Sequence, residues 1–155
     1  MTTDGFICYA KRKSVPVNSG LWSSGVGENI HPEKDADVAN PGVPDPYRTV
    51  VCGIAEEFSR EISKLLAHDD VVFLGVTFDL DEMNPALLFL ARIPLSLQET
   101  LIKCKDFPGK DFREADHRWL PGDAEAIEWT AALSDKGWEP MGKAAVIRAL
   151  EFLRY

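Results

Sequence analysis

Apolar residues recur at helical spacing in the segment that follows Asp45. The six positions of this stripe are Tyr47, Val51, Ile54, Phe58, Ile62 and Leu65. Steps of three and four residues place them on one face of a helix. Asp45 provides the cap and Pro46 the first helical residue, where its missing N–H costs no hydrogen bond. The pattern predicts one helix of about five turns that ends before His68.

Two long apolar runs, residues 71–80 and 85–95, predict sheet strands joined as a hairpin and buried on at least part of both faces. Earlier in the chain, GFICYAKRK predicts a first strand, and GLWSSGVGENI predicts a short strand that leads into a glycine-containing loop. Residues 31–46 hold four prolines and lack an apolar period. We therefore expect them to form a long loop.

The second half of the chain carries further helix and strand signals. Ser96 and Glu99 have the spacing of a capping box, which predicts a short helix. HRWLP predicts a strand, Asp123 is expected to cap a helix, and MGKAAVIRALEFLRY predicts a terminal helix. The strands lie before and after the long helix. We therefore predict one α/β domain over residues 1–155, with helices on the faces of a mixed sheet.

Composition narrows the function classes. A chain of 155 residues with 45% apolar and 27% charged residues is typical of one soluble domain. Its net charge of -8 argues against binding a nucleic acid duplex, although a small phosphorylated ligand stays compatible because a divalent cation inverts the local charge. Three scattered cysteines, no signal-like N-terminus and no long apolar run predict a cytoplasmic protein without a membrane segment.

Glu56 and Glu57 are adjacent acids on the predicted long helix, away from its apolar stripe. Their side chains diverge by about 100° around the helix axis. They can still reach one hydrated cation above the helix, since magnesium needs only a few carboxylates besides the phosphates of its substrate. The alternative is a solvated helix face on which Arg60 pairs with one of them.

The sequence GIAEEF, preceded by LWSSGVGE, resembles a divergent Nudix box. In that family, glutamates on the box helix bind divalent metals for pyrophosphate hydrolysis. Ile54, Glu56 and Glu57 match the box in register. Cys52 stands where the family has arginine, and Gly53 where it has the first catalytic glutamate. The order of elements is also similar over residues 6–155, which implies a Nudix-like α/β/α sandwich with residues 31–46 as a Pro-rich inserted loop.

The resemblance implies a magnesium or manganese ion held by Glu56, Glu57 and a third acid, with Glu57 also acting in catalysis. Gly25 and Gly27 before Glu28 resemble the opening of the box, so Glu28 is expected to act as a metal ligand and catalytic acid in place of the missing glutamate. Glu114 and Asp116, before Trp119, are the alternative third ligands.

The implied ligand is a small, phosphorylated, nucleotide-like molecule of the nucleoside-diphosphate type. The implied reaction is metal-assisted attack of water on the pyrophosphate, weak or lost because Gly53 carries no carboxylate. The alternative is a non-catalytic module on the same fold, for ligand sensing or for protein interaction. A third hypothesis is a scaffold whose acidic surface meets a basic protein partner, and a homodimer is also compatible with the sequence.

Overall fold

The fold is taken from a computed structural model of the chain. It describes residues 1–13, 19–31, 33–37, 39–40, 42–80, 84–110, 112–123, 126–134 and 137–154. Six residues within these ranges are described by their backbone alone: Arg12, Glu114, Ala126, Ile127, Thr130 and Ala131.

Strands and helices follow one another in an order that confirms the predicted α/β class. The strands are β1 (Phe6–Arg12), β2 (Trp22–Ser24), β3 (Val71–Asp79), β4 (Asn84–Ala91) and β5 (Ala115–Pro121). The α-helices are α1 (Pro46–Glu57), α2 (Arg60–Ser63), α3 (Leu97–Asp106), α4 (Ala126–Ser134) and α5 (Pro140–Leu153). Two short 3-10 helices span His68–Asp70 and Phe112–Glu114.

The strands form two antiparallel sheets, where the sequence predicted one mixed sheet. The first has the order β2-β1-β5, and the second is the hairpin β3-β4. In the described part of the chain, the parallel pairing is an isolated bridge between Trp22 and Trp138. Helix α5 contacts β2 as well as both strands of the hairpin. Helix α5 therefore connects the two sheets. Among the described residues, no strand of one sheet pairs with a strand of the other.

The predicted five-turn helix is broken at Ser59. Its backbone is extended (φ -165°, ψ 136°), and its side chain accepts a hydrogen bond from the Glu61 N–H, which starts α2. Serine favours such a cap over a helix interior because its hydroxyl competes for the backbone N–H groups. The break changes the register of the apolar stripe. Leu66 is buried and Leu65 is 43% exposed, so the predicted burial of Leu65 is wrong.

The core consists of two apolar clusters. The first surrounds Tyr9, whose ring centroid lies 5.2 Å from that of Trp22 and 5.7 Å from that of Trp138, and it includes residues of α5. The second covers the buried face of α1 and α2, where Ile54 and Ile62 pack with Cys104 of α3. Helix α1, which carries Glu56 and Glu57, therefore packs on the second cluster, and α5 packs on the first.

The β3-β4 hairpin has one buried and one exposed face. Leu88 and Leu90 of β4 point inward and are buried. Five apolar residues are exposed on β3, at its end and on β4: Phe73, Val76, Phe78, Leu80 and Leu87. The hairpin is confirmed, and its second face is covered only in part, since Phe89 and Ala91 are half-buried there. Residues 81–83, which join the two strands of the hairpin, lie outside the described residues.

Helix α5 is the longest described helix, with 14 residues. Glu139 is its N-cap, and Pro140 follows at the first helical position. Gly142 sits directly on β2, because a Cβ added there would lie 2.7 Å from the Cα of Ser23. Of the helices described, none is both long and apolar enough to cross a membrane.

Candidate functional site

Glu56 lies between two lysines that come from different loops. Its Oε1 accepts a hydrogen bond from Lys34 Nζ at 3.1 Å, and its Oε2 accepts one from Lys110 Nζ at 2.8 Å. The hydrogen bonds from Lys110 and then Lys34 hold the pKa of Glu56 below its ordinary value. Glu56 is therefore an ionised carboxylate with both oxygens engaged. Its partners are these lysines, where the solvated-face alternative had named Arg60.

Lys34 is positioned by its buried neighbour Asp35. The Oδ2 of Asp35 accepts hydrogen bonds from the His31 N–H and from the Thr49 hydroxyl, each at 2.9 Å. The Asp35 carbonyl also accepts a hydrogen bond from the Asp45 N–H at 2.7 Å. These bonds fasten the Pro-rich loop to the start of α1. The loop predicted from the sequence is thus attached to α1, and Lys34 reaches along the helix to Glu56.

Lys110 is positioned by a close backbone contact at Gly109. The Gly109 N–H donates to the Phe58 carbonyl at 2.7 Å, and a Cβ at Gly109 would lie only 2.1 Å from the Glu56 carbonyl oxygen. Only glycine allows the chain to pass so close to the end of α1. The next residue, Lys110, therefore lies beside the Glu56 side chain. Neither Lys34 nor Lys110 was predicted from the sequence, although the Gly109-Lys110 pair in a polar loop was a signal for Lys110.

Gly53 is buried where the lead-in loop after β2 crosses α1. A Cβ on Gly53 would lie 2.7 Å from Val26 Cγ1 and 3.2 Å from Glu28 Cβ. The absence of a side chain at Gly53 thus lets Val26 and Glu28 approach the helix. The Glu28 stem occupies the space that a side chain on Gly53 would need. The structure therefore brings Glu28 beside α1, close to the position of the acid that the box lacks.

Glu57 lies on a different side of α1 from Glu56. Desolvation is the main reason why the pKa of the Cys8 thiol lies well above its ordinary value, and the charge of Glu57 adds to that shift. The charge of Glu57 thus acts on Cys8 of β1, whereas the Glu56 carboxylate pairs with the lysines of two loops. The neighbouring acids diverge as the helical geometry predicts.

The other predicted acids are not brought into this group. Asp116 on β5 pairs with Lys13 at 2.6 Å, and its side chain is 60% exposed. The side chain of Glu114 lies outside the described part of the chain. Among the described residues, no three His, Cys, Asp or Glu side chains lie close enough together to hold a metal ion. Because both Glu56 oxygens already accept lysine hydrogen bonds, the acids do not fit a preformed magnesium or manganese site.

A cavity of about 570 Å³ lies between the two sheets and is bordered by α1 and α5. Its wall is mainly apolar, with residues of β4 on one side and of α5 on another. Its described lining includes two carboxylates, Glu28 and Glu139, and no lysine or arginine. Glu28 is the predicted site residue that borders both this cavity and α1. Sequence periodicity did not reveal the cavity, because its walls come from six elements that lie far apart in the sequence.

Glu139 is a buried acid in the cavity wall, with 8% of its surface exposed. Its Oε2 accepts hydrogen bonds from the Ser23 hydroxyl and from the Gly142 N–H, each at 3.0 Å. The sequence analysis did not single out Glu139. The available signal was its position before Pro140 at the start of the terminal helix, which is where an acidic cap is favoured.

No protein-family model matches the chain, and a search of curated proteins gives no significant match. The resemblance to the Nudix family therefore rests on the residue pattern around Glu28, Glu56 and Glu57 and on the order of elements. The structure adds the contact between Glu28 and α1, the lysine partners of Glu56 and the cavity.

Proposed function

We propose that this chain is a Nudix-like domain that binds a nucleoside-diphosphate-type ligand, with pyrophosphate hydrolysis weak or absent. The observation that carries the proposal is the position of Glu28, which lines the cavity and also packs against α1 at Gly53. A ligand that fills the cavity with its nucleoside places its phosphates past Glu28, toward the charged groups on α1. The Nudix-type α/β/α arrangement of the two sheets and their helices is part of this proposal.

The size and wall of the cavity support the binding of a small organic molecule. Ligand sites in proteins commonly enclose roughly 300–1,000 Å³ and combine a mainly apolar wall with a few polar groups. The cavity, at about 570 Å³, lies in this range. Its polar side chains include Ser23, Glu28, Asn29, Asn84 and Glu139. This is the pattern expected for a ring system held by apolar contacts and oriented by hydrogen bonds.

The charged groups on α1 support a place for phosphates. The hydrogen bond from Lys34 to Glu56 and the charge of Glu56 raise the pKa of Lys34, the charge of Glu28 adds to this shift, and Lys110 pairs with Glu56. Two carboxylates and two ammonium groups balance, and Glu57 next on the helix leaves one net negative charge. Lys34 also has three donors, and one of them is used on Glu56.

Thermal unfolding in the presence of nucleoside diphosphates, with and without Mg²⁺, tests the proposal. A ligand at about 100 times its Kd stabilises the native state by about 2.7 kcal/mol, which raises Tm by several degrees. Ala145 lines the cavity, so Ala145→Phe is expected to abolish the rise. Ile147→Phe on the exposed side of the same helix is the matched control and should retain it. Unchanged Tm with every nucleotide, with or without Mg²⁺, contradicts the proposal.

A non-catalytic sensing module is the second candidate, and the two lysines on Glu56 favour it. Incubation of the chain with nucleoside diphosphates and dinucleotides in Mg²⁺ or Mn²⁺ separates the candidates. Phosphate-containing products that disappear in Glu57→Gln indicate an enzyme. A rise in Tm without product, in the wild type and in Glu57→Gln alike, indicates a sensor.

A further inference from the structure

The wall of the cavity carries a buried carboxylate, Glu139, which is separate from the acids of α1. Glu139 is 92% buried, since 8% of its surface is exposed, and it lies at the start of α5. Gly142 fits against Ser23 with no room for a side chain. This tight contact between α5 and β2 fixes where the Glu139 carboxylate stands in the cavity wall.

Capping of α5 accounts for one oxygen of Glu139. The Gly142 N–H and the Ser23 hydroxyl both donate to Oε2. Among the described residues, no hydrogen bond reaches Oε1. A carboxylate oxygen has two lone-pair directions, so Oε1 can accept up to two further hydrogen bonds. A structural cap needs one oxygen, and the second is available to a molecule in the cavity.

The surroundings of Glu139 determine which groups it favours. No lysine or arginine occurs in the described lining of the cavity, and the other carboxylate there is Glu28. A buried carboxylate attracts N–H donors and repels lone pairs, because the burial of Glu139 reduces the screening by water. A ligand group that presents two adjacent N–H donors fits Oε1. A ring nitrogen with a lone pair at the same place is disfavoured.

We propose that Glu139 gives this cavity its ligand specificity by accepting hydrogen bonds from a heterocycle that presents adjacent N–H donors. This inference rests on the proposed function. Among purine bases, guanine has a ring N–H beside an amino group, and both can converge on Oε1. Hypoxanthine has the ring N–H alone. Adenine offers an amino group next to a ring lone pair, which faces the carboxylate unfavourably.

Calorimetric titration with guanosine, inosine and adenosine diphosphate, with and without Mg²⁺, tests the inference. We expect the guanosine compound to bind about tenfold or more tightly than the adenosine compound, with the inosine compound between them. Glu139→Gln presents an amide donor to the cavity and should bring the guanosine-to-adenosine ratio to about one or below. Glu151→Gln, an exposed acid on the same helix, is the matched control and should leave the ratio unchanged.

The outcomes separate this inference from the proposed function. If none of the three nucleotides binds the wild type, the proposed function fails. If they bind with equal affinity, or if Glu139→Gln keeps the wild-type preference, the selection by Glu139 fails alone. Circular dichroism checks that Glu139→Gln is folded. If it is not, Glu139→Asp, which withdraws the carboxylate by one methylene, should show a reduced ratio, and an unchanged ratio there contradicts the inference.

Discussion

At the scale of single residues, the absence of a side chain at Gly53 allows a close contact between α1 and the loop after β2. The resemblance to the Nudix box treats it as a lost acid. In the structure, the absence of a Cβ brings Val26 and Glu28 against the helix. An acid at this position requires Val26 and Glu28 to move away from the helix. Gly53 and Glu28 are therefore a coupled pair, and the sequence presents them as two unrelated departures from the motif.

Restoring the family acid with Gly53→Glu should destabilise the fold. The new Cβ would lie 2.7 Å from Val26 Cγ1, and overpacking of this kind costs about 1–3 kcal/mol. Urea denaturation should show a lower midpoint with a similar slope. Val26→Ala in the same chain should recover part of the loss, because it removes the clashing methyl group. Wild-type stability in Gly53→Glu alone would contradict the close contact.

The ion pairs of Glu56 predict a defined dependence of stability on pH. Lys110 and Lys34 hold the pKa of folded Glu56 below its ordinary value of 4.5. A depressed carboxyl pKa contributes stability above the unfolded pKa, and this contribution is lost as the pH falls through the folded pKa. Glu56→Gln should thus lower the free energy of unfolding at pH 7, by no more than about 1 kcal/mol because the lysines are largely exposed.

The difference between wild type and Glu56→Gln should shrink below about pH 4.5, when Glu56 becomes protonated in the wild type. It should also shrink at high salt, which screens exposed charges. Urea titrations at pH 7 and at pH 3, each at low and high salt, check both statements. A difference that is constant over this range would contradict the lysine contacts.

At the scale of elements, the break between α1 and α2 determines where the acids stand. Ser59 starts α2 with its side chain on the Glu61 N–H, and it is fully buried. Gly109 packs at this break, against the carbonyls of Phe58 and Glu56. The helix therefore ends immediately after Glu57, and the end of the helix is where Lys110 can reach Glu56.

Ser59→Ala should remove the cap of α2 and destabilise the chain by about 1 kcal/mol, as is typical for the loss of a serine cap. Chemical denaturation monitored by circular dichroism measures the change. Ser19→Ala is a suitable control, because Ser19 is exposed and its hydroxyl donates to the Lys13 carbonyl in a loop. Equal stabilities for the two variants would argue for a continuous helix through Ser59.

The two faces of the β3-β4 hairpin should respond differently to substitution. Leu88 is buried and Phe78 is 47% exposed. Leu88→Ala is therefore expected to cost about 2–5 kcal/mol, near the low end because the residue borders the cavity. Phe78→Thr should change the free energy of unfolding by less than about 0.5 kcal/mol. Urea denaturation of both variants checks the contrast, and similar losses would mean that the outer face is also covered.

At the scale of the whole molecule, local signals predicted the elements but not their assembly. Caps such as Asp45 and Ser96 and the apolar runs of the hairpin act over a few residues, and the helices and strands they predict are present. The pairing of β1 with β5 and the cavity depend on contacts between residues far apart in the chain. Periodicity carries no information about such contacts, so the cavity and Glu139 were not predicted.

For the acids of the candidate site, too, local features were predictable and contacts with distant residues were not. Their placement on one helix, away from its apolar stripe, was predictable from spacing. The partners of Glu56 were not, because Lys34 and Lys110 belong to loops that lie 22 and 54 residues away along the chain. These lysines convert an apparent metal site into a balanced group of charges. They are the main reason why binding, rather than hydrolysis, is the proposed activity.

The central claim is that the cavity bordered by Glu28 and Glu139 holds the base of a nucleoside diphosphate, with its phosphates near Glu56. A crystal structure of the chain with guanosine diphosphate and Mg²⁺ tests this most directly. We expect electron density for the base between β4 and α5, and for the diphosphate beside Glu28, Lys34 and Lys110. A saturated crystal with a cavity free of nucleotide, or with the nucleotide bound elsewhere, would contradict it.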